Sequence, residues 1–259
     1  MRKTIFYLLL VLVGHAVQAQ KKDTIRINAT HINTKVLKEG THRYLVYFKQ
    51  GKDAPRSQTQ FWTRTIERTE QAGKPVIKIT QLWEYKDSVW HTVTSVCDAK
   101  NFRPITNESW WKAKPLTTVD MEKKQVLVNN VALSDADTAK SNQAIWSSFK
   151  TAGDKYVLNW HLDMEVFPTL PFRTGVTFVI PFYDPGTVVP VTEAAYTVTG
   201  TGKLTGYDNQ EVDCWIMEHE SAGNKEVFWI SKKTNEVLKL EQEVNGKIYR
   251  YKIKLGFSV

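Results

Sequence analysis

The sequence predicts a mainly β protein: a strongly curved antiparallel sheet, or half-open β-barrel, with one main central helix. Three observations carry this expectation. Apolar and polar residues alternate over most of the chain, Gly, Pro and Asn turn signals recur at strand-length intervals, and the alternation is interrupted once, near the middle. The length suits one large β domain rather than forcing two.

The first residues read as a cleaved signal peptide. Arg2 and Lys3 precede an unbroken apolar run from Ile5 to Val13, and Val17-Gln18-Ala19 offers a cleavage site before Gln20. The run is too short to span a bilayer as a helix. The expected organisation is therefore 1–19 as signal and 20–259 as a single β-rich domain, periplasmic or secreted, with no transmembrane segment in the mature chain.

Tyr44, Val46 and Phe48 share one face of the first long strand, which a turn from Gly51 to Pro55 ends. Strands are then expected over Phe61 to Glu67, Val76 to Tyr85, Val89 to Cys97, Ile105 to Trp111, Thr117 to Met121 and Val126 to Val128. Ser134 to Asn142 is polar and small and reads as a loop. Between about 155 and 167 two patterns compete. Tyr156, Trp160, Met164 and Phe167 have helical spacing, whereas Leu158, Trp160, Leu162, Met164 and Val166 alternate. The non-β flanks, with Pro168 and Pro171, favour a helix packed on the sheet.

After a strand from Thr174 to Tyr183 and the Asp184-Pro185-Gly186 turn, the last third reads as a meander: Ala194 to Leu204, Glu211 to Glu218, Val227 to Ser231, Val237 to Val244 and Lys247 to Leu255. Gly200-Thr201-Gly202 reads as a bulge or turn within it. Asn245-Gly246 is a strong hairpin signal, since both positions favour positive φ. A two-residue turn there pairs Val244 with Lys247, sets Leu240 opposite Tyr251 and Leu238 opposite Ile253, and leaves Lys239 facing Lys252 on a solvated face.

The formal charge of +8 is spread along the chain without a block of like charge, which describes a solvated surface and gives no basis for nucleic-acid binding. Cys97 and Cys214 lack metal-ligand or CxxC spacing; they are either a disulfide or two small buried thiols. No P-loop, HExxH or GxSxG motif occurs, so no catalytic residue, metal site or cofactor is assigned. His161, Asp163 and Glu165 form a cluster of ligand-type residues. As a strand they would share a face; as a helix only His161 and Glu165 would, and the plain reading is the polar side of an amphipathic element.

The stretch NWHLDMEVFPTLPFRTGVTFVIPFYDPG, ending at Gly186, resembles an uncharacterised family of exported β-proteins from Gram-negative bacteria, a domain of unknown function. CDAKNFRPI, YTVTGTGKLTGYDNQEVDCW and VFWISKKTNEVLKLEQEVNGKIYRYKIKL fit the same family. The resemblance implies a fold remotely similar to the periplasmic lipoprotein carriers, whose half-open barrel wraps a helix. It implies no catalytic residues.

Three function classes follow. The first is a non-catalytic carrier or binding module for a hydrophobic, lipid-like ligand in the cell envelope. The second is an envelope structural or protein-interaction domain without ligand, and the third an enzyme using His161, Asp163 and Glu165. A ligand of the first class is expected between the concave sheet and the central helix. Ile77, Ile79, Trp83 and Tyr85 would form one wall, Trp160, Met164 and Phe167 another, and Phe178, Ile180 and Phe182 a third.

Overall fold

The structure is a computed structural model that describes residues 23–257. The signal-peptide reading of residues 1–19 lies outside them. The described residues build one 16-stranded sheet that curves but does not close. One meander runs from β2 (Gly40–Gln50) through β3 (Ser57–Gln71), β4 (Lys74–Tyr85), β5 (Ser88–Asp98), β6 (Pro104–Trp111), β7 (Thr117–Asp120) and β8 (Gln125–Val128) to β9 (Val131–Ala132). After the short strand β10 (Leu158–Asn159), a second meander runs through β11 (Val176–Tyr183), β12 (Thr192–Thr205), β13 (Glu211–Ser221), β14 (Asn224–Ser231), β15 (Val237–Val244) and β16 (Ile248–Lys254). Antiparallel pairing of β16 with β2 joins the two. The outer edge of β11 is covered by two parallel strands, β1 (Asp23–Arg26) along its first half and β10 along its end. Covering that edge removes a row of unpaired backbone groups.

The interruption of alternation is real, but its helices differ from the expected one. The longer helix, α1 (Lys140–Ala152), begins inside the segment read as the loop 134–142. Its N-cap is Ala139, which makes no side-chain capping bond, so the usual start signal is missing. What holds it is a stripe of Ile145, Phe149 and Ala152, packed with Val119, Val126 and Tyr183 in a small core of its own. Residues expected as one helix from 155 to 167 form β10 and then a helical segment in three pieces. These are a 3-10 turn (Trp160–Leu162), α2 (Asp163–Val166) and a second 3-10 turn (Phe167–Thr169). Both patterns in that stretch therefore have a physical basis: Leu158 and Asn159 extend, and the rest coils.

This helical segment fills the concave side of the sheet. Leu162, Met164, Val166 and Phe167 pack with Tyr44, Val46, Ile66, Ile77, Ile79, Phe178, Ile180, Phe182, Tyr196 and Phe228 in the main core. Phe167 meets the rings of Tyr196 and Phe228 at 4.8 and 4.7 Å between centroids, favourable distances for tilted and edge-on aromatic pairs. A bulge shifts the β12–β13 register between Val198 and Gly200, as the Gly200-Thr201-Gly202 pattern suggests.

The last hairpin corrects the sequence reading. Asn245 and Gly246 do take positive φ, and the Lys247 N–H donates to the Val244 carbonyl at 3.0 Å. Lys247, however, stays outside the ladder, and Val244 pairs with Ile248. Leu240 consequently faces Lys252 rather than Tyr251, and Lys239 faces Ile253 rather than Lys252. Because side chains alternate with period two, one extra turn residue exchanges the faces of the whole strand. Arg250, Lys252 and Lys254 turn inward, where Glu226, Asp163 and Glu236 meet them as ion pairs.

Cys97 and Cys214 are free buried thiols, so the bridge considered from the sequence does not form. Cys97 belongs to the main core, whereas Cys214 packs with Val212 and Leu238 in a separate cluster, on strands that are not neighbours. Burial pushes the pKa of the Cys97 thiol far up and that of Cys214 up to about 11. Native protein should therefore resist a thiol reagent at neutral pH and release two titratable thiols on denaturation without reductant. One or no thiol in the denatured state would contradict this arrangement.

Candidate functional site

A band of polar side chains crosses the otherwise apolar concave face, and the helical segment lies along it. From the sheet come Lys252 on β16, Arg64 on β3, Gln81 on β4, Ser95 on β5 and Asn107 on β6, all buried. From β10 comes Asn159, and from the helical segment come His161, Asp163 and Glu165. Each has an assigned role. Asn159 donates to the Asn107 amide oxygen at 2.9 Å and caps the first 3-10 turn by accepting from the His161 N–H at 2.9 Å. Arg64 and its cross-strand partner Gln81 both donate to the His161 carbonyl, at 2.8 and 2.9 Å. Arg64 also grips both Glu165 oxygens, at 2.7 and 2.5 Å. The two side chains are 1% and 4% exposed, so this is a buried two-point ion pair.

Beside this anchor lies a cleft of about 370 Å³, in the lower part of the usual range for ligand sites. Trp62, Trp83 and Trp160 give it aromatic walls, and Arg64, His161, Asp163, Asp184, Glu226, Arg250 and Lys252 give it polar ones. Trp62 and Trp83, directly paired across β3 and β4, stack with centroids 3.6 Å apart. The Lys252 ammonium sits 4.8 Å from the Trp62 ring centre and 3.4 Å from Asp163. Asp184 reaches the cleft because the following turn lies against β7. Gly186 has φ +78, and a Cβ there would stand 2.7 Å from the Thr117 hydroxyl, so this approach needs glycine.

Burial and charge act against each other in this wall. Burial pushes the Lys252 pKa down to about 8 although Asp163 works to raise it. Burial also acts to raise the Asp163 carboxyl pKa, but Lys252 and Arg64 outweigh it and hold the pKa below the usual carboxylate range. Glu226 goes the other way: burial raises its carboxyl pKa more than Arg250, 4.0 Å away, lowers it. Next to the cleft, His91 stacks on Trp111 at 3.7 Å, and burial pushes its pKa down to about 3, leaving it neutral.

Of the residues expected around an apolar ligand, Trp83 and Trp160 line this cleft. Ile77, Ile79, Met164, Phe167, Phe178, Ile180 and Phe182 close together into the main core. Tyr85 stands at the end of β4 with its ring edge-on to Trp90. His161 and Asp163 reach the cleft, while Glu165 is held by Arg64. Among the described residues no group of three or more His, Cys, Asp or Glu is placed to hold a metal ion. Arg64, Asp184, Glu226, Arg250 and Lys252 escaped the sequence reading. Their one trace is the period-two series Arg250, Lys252, Lys254, which an unshifted hairpin assigns to the outside.

The fold and this cleft together define a β-sheet protein that is open along one side and carries a charged, aromatic-walled cleft inside the curve. Residues 43–254 match the family described as "Protein of unknown function (DUF3108)", and the chain belongs to that family. Among solved structures it is similar to a beta-barrel-like protein of domain of unknown function DUF1849 from Brucella abortus. That match has 9% identity, covers 85% of this chain and 98% of that chain, and has a TM-score of 0.41. No curated protein matches the chain. No helix among the described residues is long and apolar enough to cross a membrane.

Two predictions follow from the buried charges. Arg64→Met leaves the buried Glu165 carboxyl without its partner and Glu165→Gln leaves the buried guanidinium without its counter-charge, and each should cost about 3–5 kcal/mol in urea unfolding. A cost under 1 kcal/mol for Arg64→Met would show that the pair does not anchor the segment. Lys252 binds its proton less tightly folded than unfolded, so between about pH 8 and the ordinary lysine range the unfolded state holds more protons. Stability should therefore rise with pH across that window relative to Lys252→Met, by at most about 1.4 kcal/mol per pH unit. Parallel pH profiles for the two proteins would contradict a depressed Lys252.

Proposed function

We propose that the protein is a non-catalytic binding or carrier module of the cell envelope, exported from a Gram-negative cell, that holds a small molecule in the cleft between the helical segment and the β3–β4–β16 wall. The observation that carries this reading is the cleft itself. Charged groups inside a β-sheet protein are costly unless they are paired, and an all-apolar interior would be the more stable solution. Here they surround a space of ligand size with three tryptophans at its border.

The ligand is amphipathic rather than purely lipid-like. The three apolar faces expected to enclose an acyl chain already fill one another in the core, whereas the open space has a polar wall. The non-catalytic part of the reading is supported by how the ligand-type residues are engaged. Glu165 is gripped by Arg64, Asp163 accepts from the Met164 N–H and pairs with Lys252, and His161 lies 3.0 Å from Asp184. Export is supported by the signal-like pattern of Arg2 to Ala19. The remote likeness to lipoprotein carriers belongs to the same proposal.

Native mass spectrometry of protein recovered from the envelope fraction tests it. The expected spectrum carries a small-molecule adduct that denaturation releases, and Trp160→Ala should lose the adduct while remaining folded. A small-molecule library should contain a compound that stabilises the protein by about 2.7 kcal/mol at a hundredfold excess over Kd. A bare mass, together with no stabilising compound, would overturn the binding role and leave an envelope structural or interaction domain.

A further inference from the structure

Taking the cleft as a binding site, as proposed above, we infer that its ligand class is a neutral saccharide, bound through hydroxyl groups on the polar wall and a ring face on Trp160. The inference starts from the way charge is distributed. Arg64 is matched by Glu165, Lys252 by Asp163, Arg250 by Glu226, and His161 faces Asp184. Each cation in the wall has a carboxylate opposite it. An anionic ligand would be attracted to Arg250 and repelled by Asp184 and Glu226, and a cationic ligand would meet the reverse. The three cations are each countered by a carboxylate, so the wall leaves no free positive charge to select an anion.

The second observation is a pair of unmatched hydrogen-bonding atoms. The Arg250 Nε–H and the Asp184 Oδ1 are both buried without a hydrogen-bond partner in the protein. Oδ1 lies 3.0 Å from the His161 Nε2 but is not aligned with it for a hydrogen bond. One atom can only donate and the other only accept. Both residues line the cleft, and a hydroxyl group, which donates and accepts, is the one kind of group that meets both atoms once a side-chain rotation brings them to the cleft surface. A carboxylate or phosphate satisfies only the arginine, and an ammonium only the aspartate.

The third observation is aromatic. Trp160 borders the cleft and has one face stacked on Phe182 at 5.2 Å between centroids. An indole fixed in that way is a rigid surface for the apolar C–H face of a pyranose ring, since an aromatic side chain offers a large contact at small entropic cost. Trp83, stacked on Trp62, extends the aromatic border. With about 370 Å³ available, the cleft suits a mono- or disaccharide, or the terminal sugars of a longer glycan.

Saturation-transfer NMR and tryptophan fluorescence on the full mature protein test the inference. The probes are maltose, cellobiose and N,N′-diacetylchitobiose, set against glucose 6-phosphate, glucosamine and a fatty acid. At least one neutral disaccharide should receive saturation at its ring protons and quench tryptophan emission. Asp184→Ala and Arg250→Lys should each weaken that binding by about tenfold or more, since the first removes the acceptor oxygen and the second the guanidinium Nε–H. Tyr207→Ala, on the exposed surface, should leave it unchanged, and melting curves verify that each variant is folded. If Arg250→Lys fails to fold, Trp160→Phe provides the second test, with weaker quenching and binding partly retained. Disaccharide binding without pelleting on insoluble chitin or cellulose assigns a free sugar; pelleting assigns a glycan end. Preference for the phosphate, amine or fatty acid through the same residues overturns the saccharide assignment and leaves the binding role standing. No binding of any probe, with a bare native mass, removes both.

Discussion

The structure turns on one buried guanidinium. Arg64 joins Glu165 and the His161 carbonyl to the floor of the sheet, and Gln81 beside it holds the same carbonyl. A segment made of two 3-10 turns and a single α-turn has little stability of its own, because short helices do not recover the cost of nucleation. Its conformation is imposed from outside. The apolar side is set by packing of Leu162, Val166 and Phe167, and the polar side by Asn159, Arg64 and Lys252. Without the polar anchors the segment could slide along an apolar face; with them its position is defined by direction-dependent bonds. The cleft exists because the segment is held at this place.

The last hairpin supplies the other half of that wall. One residue left out of the ladder at Lys247 places Arg250, Lys252 and Lys254 inside. Such a face would be untenable alone, and each cation is tolerated because a carboxylate from another element meets it. The opposite face of the same strand carries Tyr251, which stacks on Tyr47 at 4.9 Å. The usual apolar-in, polar-out order is thus reversed on β16, with carboxylates from other elements compensating on the inner side and the cross-strand ring of Tyr47 on the outer.

Much of the fold was legible in the chain. Val237 to Val244 is a strand with the expected ends, and the strands expected at 194–204 and 211–218 appear with small extensions. Local alternation was enough there because those strands have one wet and one buried face. The helices were harder. Lys140 to Ala152 has a polar start without a capping side chain, and its burial depends on β7 and β8, distant in sequence. The site was least legible, since its polar residues come from β3, β14, β16, the helical segment and the loop after β11. No local pattern distinguishes Arg64, in an alternating strand, from a solvent-facing arginine. Only the sheet order brings it to Glu165.

The seam between β16 and β2 has a consequence for how the chain reaches this state. Tyr44 pairs with Lys254, so the ladder that unites the two meanders is also among the most distant pairings in the sequence. Each meander is local and can form early by neighbouring strands. The union cannot: it awaits β16 and carries the full entropy of closing the intervening chain. Until then β2 presents an unpaired edge and the polar wall lacks Arg250 and Lys252, leaving Asp163 without its lysine. The completed wall of the cleft therefore depends on a long-range pairing, and a change that weakens the β16–β2 seam acts on the balance of the interior charges as well as on the sheet.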